Sequence, residues 1–388
     1  MYLFTYLKLA SRLLLLCLIY SCSNMDKGRV EKGHPSVINL SNNPDSSKYF
    51  SVADNIQSLD VMNLETSEKS IISEAWGIEK ILKINSRFFI LDAKYMSVKV
   101  FDTSGKFLFN IGKLGKGKGA FVRIEDMQYY FSHNSLLVLC NSPAKIMEFT
   151  LDGQLIKETP IHFYATSFAF QSFNSFIFYV NQNKSEESGN KNIMITDSSF
   201  SVKERMLDMP STLSTSVKFS GGIFSVNGDV YFNPAFSNIY YLSKKDTLLP
   251  TFQVDYGSRK IPAETPERYL MDNLKNYGFQ YNSFIKTKDF VGFNYHGSNV
   301  VSAAFYNINS RNIMTTNEKR DSLNLLFSNL MFQKGDTIIS VLDLNRLSPF
   351  IVRNKENIRH RFPQFLQKIK IKDSNQNPVL LIYKLKSI

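Results

Sequence analysis

The chain has 388 residues, of which 43% are hydrophobic and 21% charged, and this balance excludes a disordered or fibrous polypeptide. Three cysteines exclude a disulfide scaffold, and 32 Phe and 19 Tyr against one Trp lean towards β structure. The formal charge of +12 is interleaved with acids along the whole chain. Its densest run, Lys113 to Arg123, holds only four cations, so no element carries a nucleic-acid footprint.

The first 22 residues read as an address. Lys8 and Arg12 supply a positive region, and Leu13 to Tyr20 form an apolar run too short to span a bilayer. Ile19-Tyr20-Ser21-Cys22 is similar to a bacterial lipobox, in which a small residue precedes an acylated cysteine. Residues 1–21 are therefore expected to be a lipoprotein signal peptide and Cys22 the lipidation site. The plain alternative is an ordinary signal peptide with a chance cysteine, or an uncleaved anchor. Acyl chains would make the membrane the first partner, each buried methylene contributing about 0.8 kcal/mol. Residues 22–53, rich in Ser, Asn, Lys, Gly and Pro, read as a flexible tether.

From residue 54 onwards short apolar runs alternate with turn residues. Phe107, Phe109 and Ile111 recur at every second position, as do Met147, Phe149 and Leu151, which is the spacing of half-buried strands. Strand, turn and strand then repeat. Phe101-Asp102-Thr103-Ser104-Gly105-Lys106-Phe107-Leu108 matches Phe149-Thr150-Leu151-Asp152-Gly153-Gln154-Leu155-Ile156. Weaker copies turn at Ser199 and Lys245, giving spacings of 48, 46 and 46 residues. Such a period predicts β-propeller blades. A fifth copy fits near Tyr306–Ser310, and a sixth ends in Val341–Leu344. Between the fourth and fifth, Thr265-Pro266-Glu267 followed by Leu270, Met271, Leu274 and Tyr277 predicts a helical insertion at about 263–277. The last apolar run, Pro378 to Leu385, is expected to pair with Ile56–Leu64 and close the ring.

Several stretches resemble a known family. Ile90-Leu91-Asp92, Val98-Lys99-Val100-Phe101-Asp102, Gly105-Lys106-Phe107-Leu108 and the glycine-rich run Ile111 to Gly119 resemble the six-bladed, NHL-like β-propeller lipoproteins of Bacteroides-type bacteria. Leu59 to Thr66 looks like their first strand and Asn377 to Lys386 like their last. The resemblance covers most of residues 54–388. It implies an all-β fold, a single propeller of six four-stranded blades with small helical insertions, in the cell envelope as an outer-membrane lipoprotein. The family loop usually runs Gly-x-Gly-Pro-Gly-Glu. Here Lys118 replaces the proline and Ala120 the acid, so the loop lacks that carboxylate.

Motif chemistry is sparse. Gly112 to Gly119 nearly spells a phosphate-binding loop, but the position after Lys118 is Gly119 where magnesium needs Ser or Thr. The bland reading is an inter-strand loop. A binding loop for anionic groups, using Lys113, Lys116, Lys118 and Arg123, is the sharper one. The five histidines form no metal-ligand spacing and no nucleophile elbow occurs, so no metal, cofactor or catalytic residue is assigned. A propeller channel still gathers distant groups, with Asp92, Glu125, Asp126 and His296 as candidates. Cys140 reads as a core cysteine. Phe168, Phe170, Phe176 and Phe178 read as inter-blade core in preference to a sugar-stacking surface.

These features point to a monomeric, lipid-anchored binding or scaffold module for an envelope protein, peptide or glycan, with no nucleic-acid partner. The alternative is a channel-centred lyase or hydrolase acting on a glycan or small ester. Fold alone does not choose between them.

Overall fold

The structure is a computed structural model that describes residues 29–40, 51–73, 75–172, 174–214, 216–297, 300–317, 321–371 and 376–387. The signal sequence and Cys22 lie outside the described residues.

Six antiparallel sheets stand in a ring as a six-bladed β-propeller. Blade 1 is Ile78–Ile84, Arg87–Asp92, Ser97–Asp102 and Phe107–Ile111, from the inner strand outwards. Blade 2 is Arg123–Tyr130, Ser135–Asn141, Lys145–Thr150 and Leu155–Pro160. Blade 3 is Ser167–Ser172, Ser175–Tyr179, Lys191–Asp197 and Val202–Asp208. Blade 4 is Gly222–Val226, Asp229–Asn233, Ile239–Lys244 and Thr247–Asp255. Blade 5 has an inner strand in two pieces, Phe279–Gln280 and Ile285–Lys286, then Phe290–Gly297, Val300–Asn307 and Ile313–Thr315. Blade 6 joins Leu330–Lys334 and Thr337–Leu342 to Val379–Leu385 and, last, Ile56–Asn63. The expected closure is therefore present: Val379 faces Asn63 and Tyr383 faces Leu59 in antiparallel register.

The period-two pattern explains the packing. Each seam between neighbouring blades holds its own apolar cluster. The seam of blades 2 and 3 contains Leu137, Leu139, Phe168, Phe176 and Phe178, so three aromatics of that run are core while Phe170 is only partly buried against them. Burying one such side chain contributes about 1.5–3 kcal/mol. Cys140 lies in the seam of blades 1 and 2, where burial pushes its thiol up to about 12.

The repeated turn has a local cause. Asp102 Oδ1 accepts the backbone N–H groups of Ser104 at 2.8 Å and Lys106 at 3.0 Å. Asp197 does the same for Ser199 and Ser201, and Asn307 for Asn309 and Ser310. An Asx side chain replacing a backbone acceptor is what fixes these turns.

The two faces differ. Turns after the inner and third strands are short, as at 85–86, 103–106, 227–228 and 245–246, and define a tight-turn face. Connections after the second strand, and from each blade to the next, lie on the opposite, long-loop face. Two expectations change there and at the N-terminus. The predicted insertion forms a helix over Glu267–Asp272 followed by a 3-10 turn at Leu274–Asn276, with Pro266 and not Thr265 at the cap, the Thr265 hydroxyl turning back to Pro262 O at 2.8 Å. An unforeseen helix, Leu344–Arg361, separates the second and third strands of blade 6 and buries Leu344, Leu347, Phe350 and Ile358. Among the described residues no helix is long and apolar enough to cross a membrane.

The segment read as tether also carries structure. Arg29–Val30 and Ser36–Asn39 run parallel to the outer strand of blade 4, Thr247–Asp255. Ile38 is fully buried in the seam of blades 4 and 5. An apolar Ile at that register is what holds the strap.

Candidate functional site

The inner strands alternate apolar seam contacts with groups facing the axis. At the long-loop end the axis is closed by charge. Glu79 and Lys80 begin the inner strand of blade 1, Glu125 and Asp126 that of blade 2, Lys218 comes from the loop before blade 4, and Asn282 lies between the two pieces of the inner strand of blade 5. Asp126 Oδ1 accepts from Lys80 Nζ at 2.7 Å and from its neighbour Met127 N at 2.7 Å, while Oδ2 accepts from Phe168 N of blade 3 at 3.0 Å. Burial nevertheless outweighs these partners and raises the Asp126 pKa. Glu125 accepts from Arg123 Nε at 2.5 Å, from Asn141 Nδ2 at 2.9 Å and from Lys218. Glu79 accepts from Asn282 Nδ2 at 3.1 Å, and burial raises its pKa against the pull of Lys218. The space left among these groups is about 100 Å³. That is below the 300–1,000 Å³ of ordinary ligand pockets. Just outside lies a hollow of about 570 Å³, bordered by Gly77, Glu79, Lys94, Arg123 and Lys218.

Of the four candidate channel groups, the fold brings Glu125 and Asp126 together. Asp92 is elsewhere: it accepts from Ser73 N, Ser73 Oγ, Lys94 N and Tyr95 N, and so ties down a turn. His296 stacks on Phe279 with ring centroids 5.0 Å apart and faces Tyr277 O. Among the described residues no three His, Cys, Asp or Glu side chains are grouped as metal ligands.

The glycine-rich loop is a short ladder, not a phosphate cradle. Lys113–Leu114 pairs with Ala120–Phe121, and Gly119 N donates to Glu158 Oε1 at 2.6 Å. A carboxylate thus occupies an amide that a phosphate would need. Gly112 has φ +67, and a Cβ there would stand 2.3 Å from the Phe121 ring. Lys113, Lys116 and Lys118 are exposed and make no ion pair among the described residues, whereas Arg123 is paired with Glu125. Only Arg123 of the four borders the hollow.

The opposite end is open. A cavity of about 630 Å³ at the tight-turn face is lined by the ends of the inner strands, including Asn85, Gln128, Phe131, Phe170, Gln171 and Ser225. Phe131 is 57% exposed and meets Phe170 edge-on at 5.0 Å. The glutamine amides also stitch blades together. Gln128 Nε2 donates to Phe168 O of the next blade at 2.5 Å, Gln171 Nε2 to Ser243 Oγ of blade 4 at 2.7 Å, and Gln333 Nε2 to Lys286 O of blade 5 at 2.6 Å. Asn85 and Ser225 make no side-chain hydrogen bond among the described residues, and so remain for a ligand. Sequence reasoning missed this mouth. Its one available signal was a glutamine near the end of the inner strand in blades 2, 3 and 6.

Comparison with known proteins agrees on the fold. A crystal structure from Bacteroides fragilis NCTC 9343, described as a "Putative exported protein", superposes with a TM-score of 0.72 at 16% identity, covering 90% of this chain and 100% of that one. A member of the DUF4221 family from Bacteroides vulgatus ATCC 8482 superposes with a TM-score of 0.50 at 9% identity, covering 85% and 97%. No curated protein matches the sequence. One family profile matches residues 35–384, nearly the whole propeller and the second strand of its strap, and the chain belongs to that family, described as "Domain of unknown function (DUF4934)".

Proposed function

We propose that this protein is a non-enzymatic binding module of the cell envelope that takes a neutral glycan strand in the mouth of its tight-turn face. The observation that carries the reading is the cavity of about 630 Å³ with its pairing of amide and hydroxyl groups to the exposed ring of Phe131. Sugars are recognised by that combination, an apolar ring for their C–H faces and amides for their hydroxyls. The acids that a channel lyase or hydrolase would use are held by cations and amides in a space of about 100 Å³ at the other end. Envelope location is supported by the signal-like residues 1–22, ending in Cys22, and by the description of the B. fragilis structure as exported. Lys113, Lys116 and Lys118 give the opposite face a cationic loop suited to anionic groups.

The test is binding of neutral and charged envelope oligosaccharides, read by calorimetry. A neutral oligosaccharide should bind, and Phe131→Ala should weaken it at least tenfold. Binding of extended peptides in place of sugars, or sugar binding indifferent to Phe131→Ala, would overturn the glycan reading.

A further inference from the structure

The N-terminal strap has a direction. It pairs parallel with the outer strand of blade 4, with Arg29 opposite Thr247 and Asn39 opposite Asp255. Arg29 N donates to Asp246 O at 2.8 Å, at the start of that strand, and Leu40 N to Asp255 O at 2.8 Å, at its end. Asp246 lies in the turn 245–246, and this turn is on the tight-turn face. So is the turn 227–228, and Asn227, Gly228 and Asp229 line the mouth. The preceding carbonyl, that of Lys245, accepts from Gln171, another lining residue. The chain therefore arrives on the tight-turn side at the outer edge of blade 4 and follows that edge towards blade 5. Ile38, fully buried in the seam of blades 4 and 5, holds it there.

We infer that the strap turns the mouth towards the membrane, so that the cavity receives a slender chain presented at the bilayer surface. This rests on the reading of Cys22 as the lipidated residue. Seven residue steps separate Cys22 from Arg29, at most about 25 Å of extended chain. The rim at blade 4 then stands no further than that from the acyl chains. The long-loop face lies an inner-strand length further away, about 17–27 Å. A folded domain of 100 residues has a radius of gyration of about 13 Å, hence a width near 34 Å, and does not fit the gap. An extended glycan strand does. The geometry thus narrows the ligand by size, where the lining narrows it by chemistry.

The experiment uses the full-length protein, reconstituted in vesicles carrying a headgroup acceptor dye. Ser86→Cys and Lys244→Cys place a donor dye on the tight-turn face; Lys116→Cys and Lys184→Cys place it on the long-loop face, all at exposed positions. Cys140 does not compete, being buried with its thiol pushed up to about 12. Energy transfer to the headgroups should be at least twofold more efficient from Ser86→Cys and Lys244→Cys. Equal transfer from both faces, or the reverse order, overturns the orientation. Intact mass measured on the same samples separates the two ideas: absence of acyl mass on Cys22 overturns the anchor itself. Replacing residues 29–39 by a Gly-Ser segment of equal length should abolish the difference between faces. Where that variant fails to fold, the four labels on the native strap decide alone.

Discussion

Lys80 and Asp126 belong to the inner strands of adjacent blades, and Lys80 Nζ lies 2.7 Å from Asp126 Oδ1 with the carboxylate almost wholly out of water. The pair welds blade 1 to blade 2 at the axis. Removing one partner of such a pair strands the other charge in the interior, at about 3–5 kcal/mol. Lys80→Met should lower stability by about 3 kcal/mol, the low end because Lys80 is itself partly solvated. Urea denaturation checks this. An unchanged midpoint would show that water, not Lys80, neutralises Asp126.

Glu79 makes a pH prediction. Burial raises its pKa above the usual 4.5, so the native state binds this proton more tightly than the unfolded chain does. Its contribution to stability is fully present below the ordinary glutamate range and is lost as pH rises through the raised value. Glu79→Gln keeps an acceptor for Asn282 and removes that loss. The variant should melt higher than wild type at pH 8 and alike at pH 4. A gain at pH 4 of the same size would exclude the titration of Glu79 as the cause.

The closing blade can be locked. Ser58 and Lys384 stand opposite one another in the register of its outer strands, and both are exposed. A Ser58→Cys, Lys384→Cys disulfide would join the two ends of a loop of over 300 residues. Loop-closure entropy sets an upper limit of roughly 6 kcal/mol on the gain, and native strain reduces it. The oxidised form should unfold at higher denaturant than the reduced form. A lower midpoint on oxidation would mean the register is wrong.

Gly105 is the turn glycine of the sequence repeat, and its φ is +85. A Cβ there would stand 2.2 Å from Asn63 O, a backbone atom of blade 6 that cannot give way cheaply. Gly105→Ala should therefore destabilise by about 2 kcal/mol or more, beyond the usual cost of a left-handed alanine. Gly228→Ala, in a turn with φ +87 and nothing within 4 Å, separates the conformational cost from the clash. Equal losses in the two variants would remove the clash from the account.

The fold was legible because its repeat is written locally. Asp102, Asp197 and Asn307 each bond the backbone two to four residues ahead, so the same turn recurs in the sequence wherever it recurs in space. The closing strand was legible from its alternation and position. The site was not, since its groups meet only through the ring. Glu79 and Asn282 are 203 residues apart, and Lys218 and Glu125 are 93 apart. Paired charges at the start of an inner strand, Glu79-Lys80 and Glu125-Asp126, were the visible trace. The helix Leu344–Arg361 escaped because Pro349 reads as a breaker, yet it sits in the second turn, near the helix start. The strap escaped because its polar composition reads as linker, and only Ile38 is deeply buried.

Ring closure by Ile56–Asn63 and Val379–Leu385 also sets an order of events during synthesis. Five blades can assemble as the ribosome delivers them, each from a continuous segment. The sixth cannot, because its outer strand is made among the earliest residues and the partner of that strand among the last. Until residue 385 is free, the nascent chain is an open arc. It ends in bare strand edges on both sides, one held by residues made at the start. A chain that stalls or is clipped before that point presents those edges to proteases and to other arcs. Closure of the ring thereby waits on the strand that ends at Leu385.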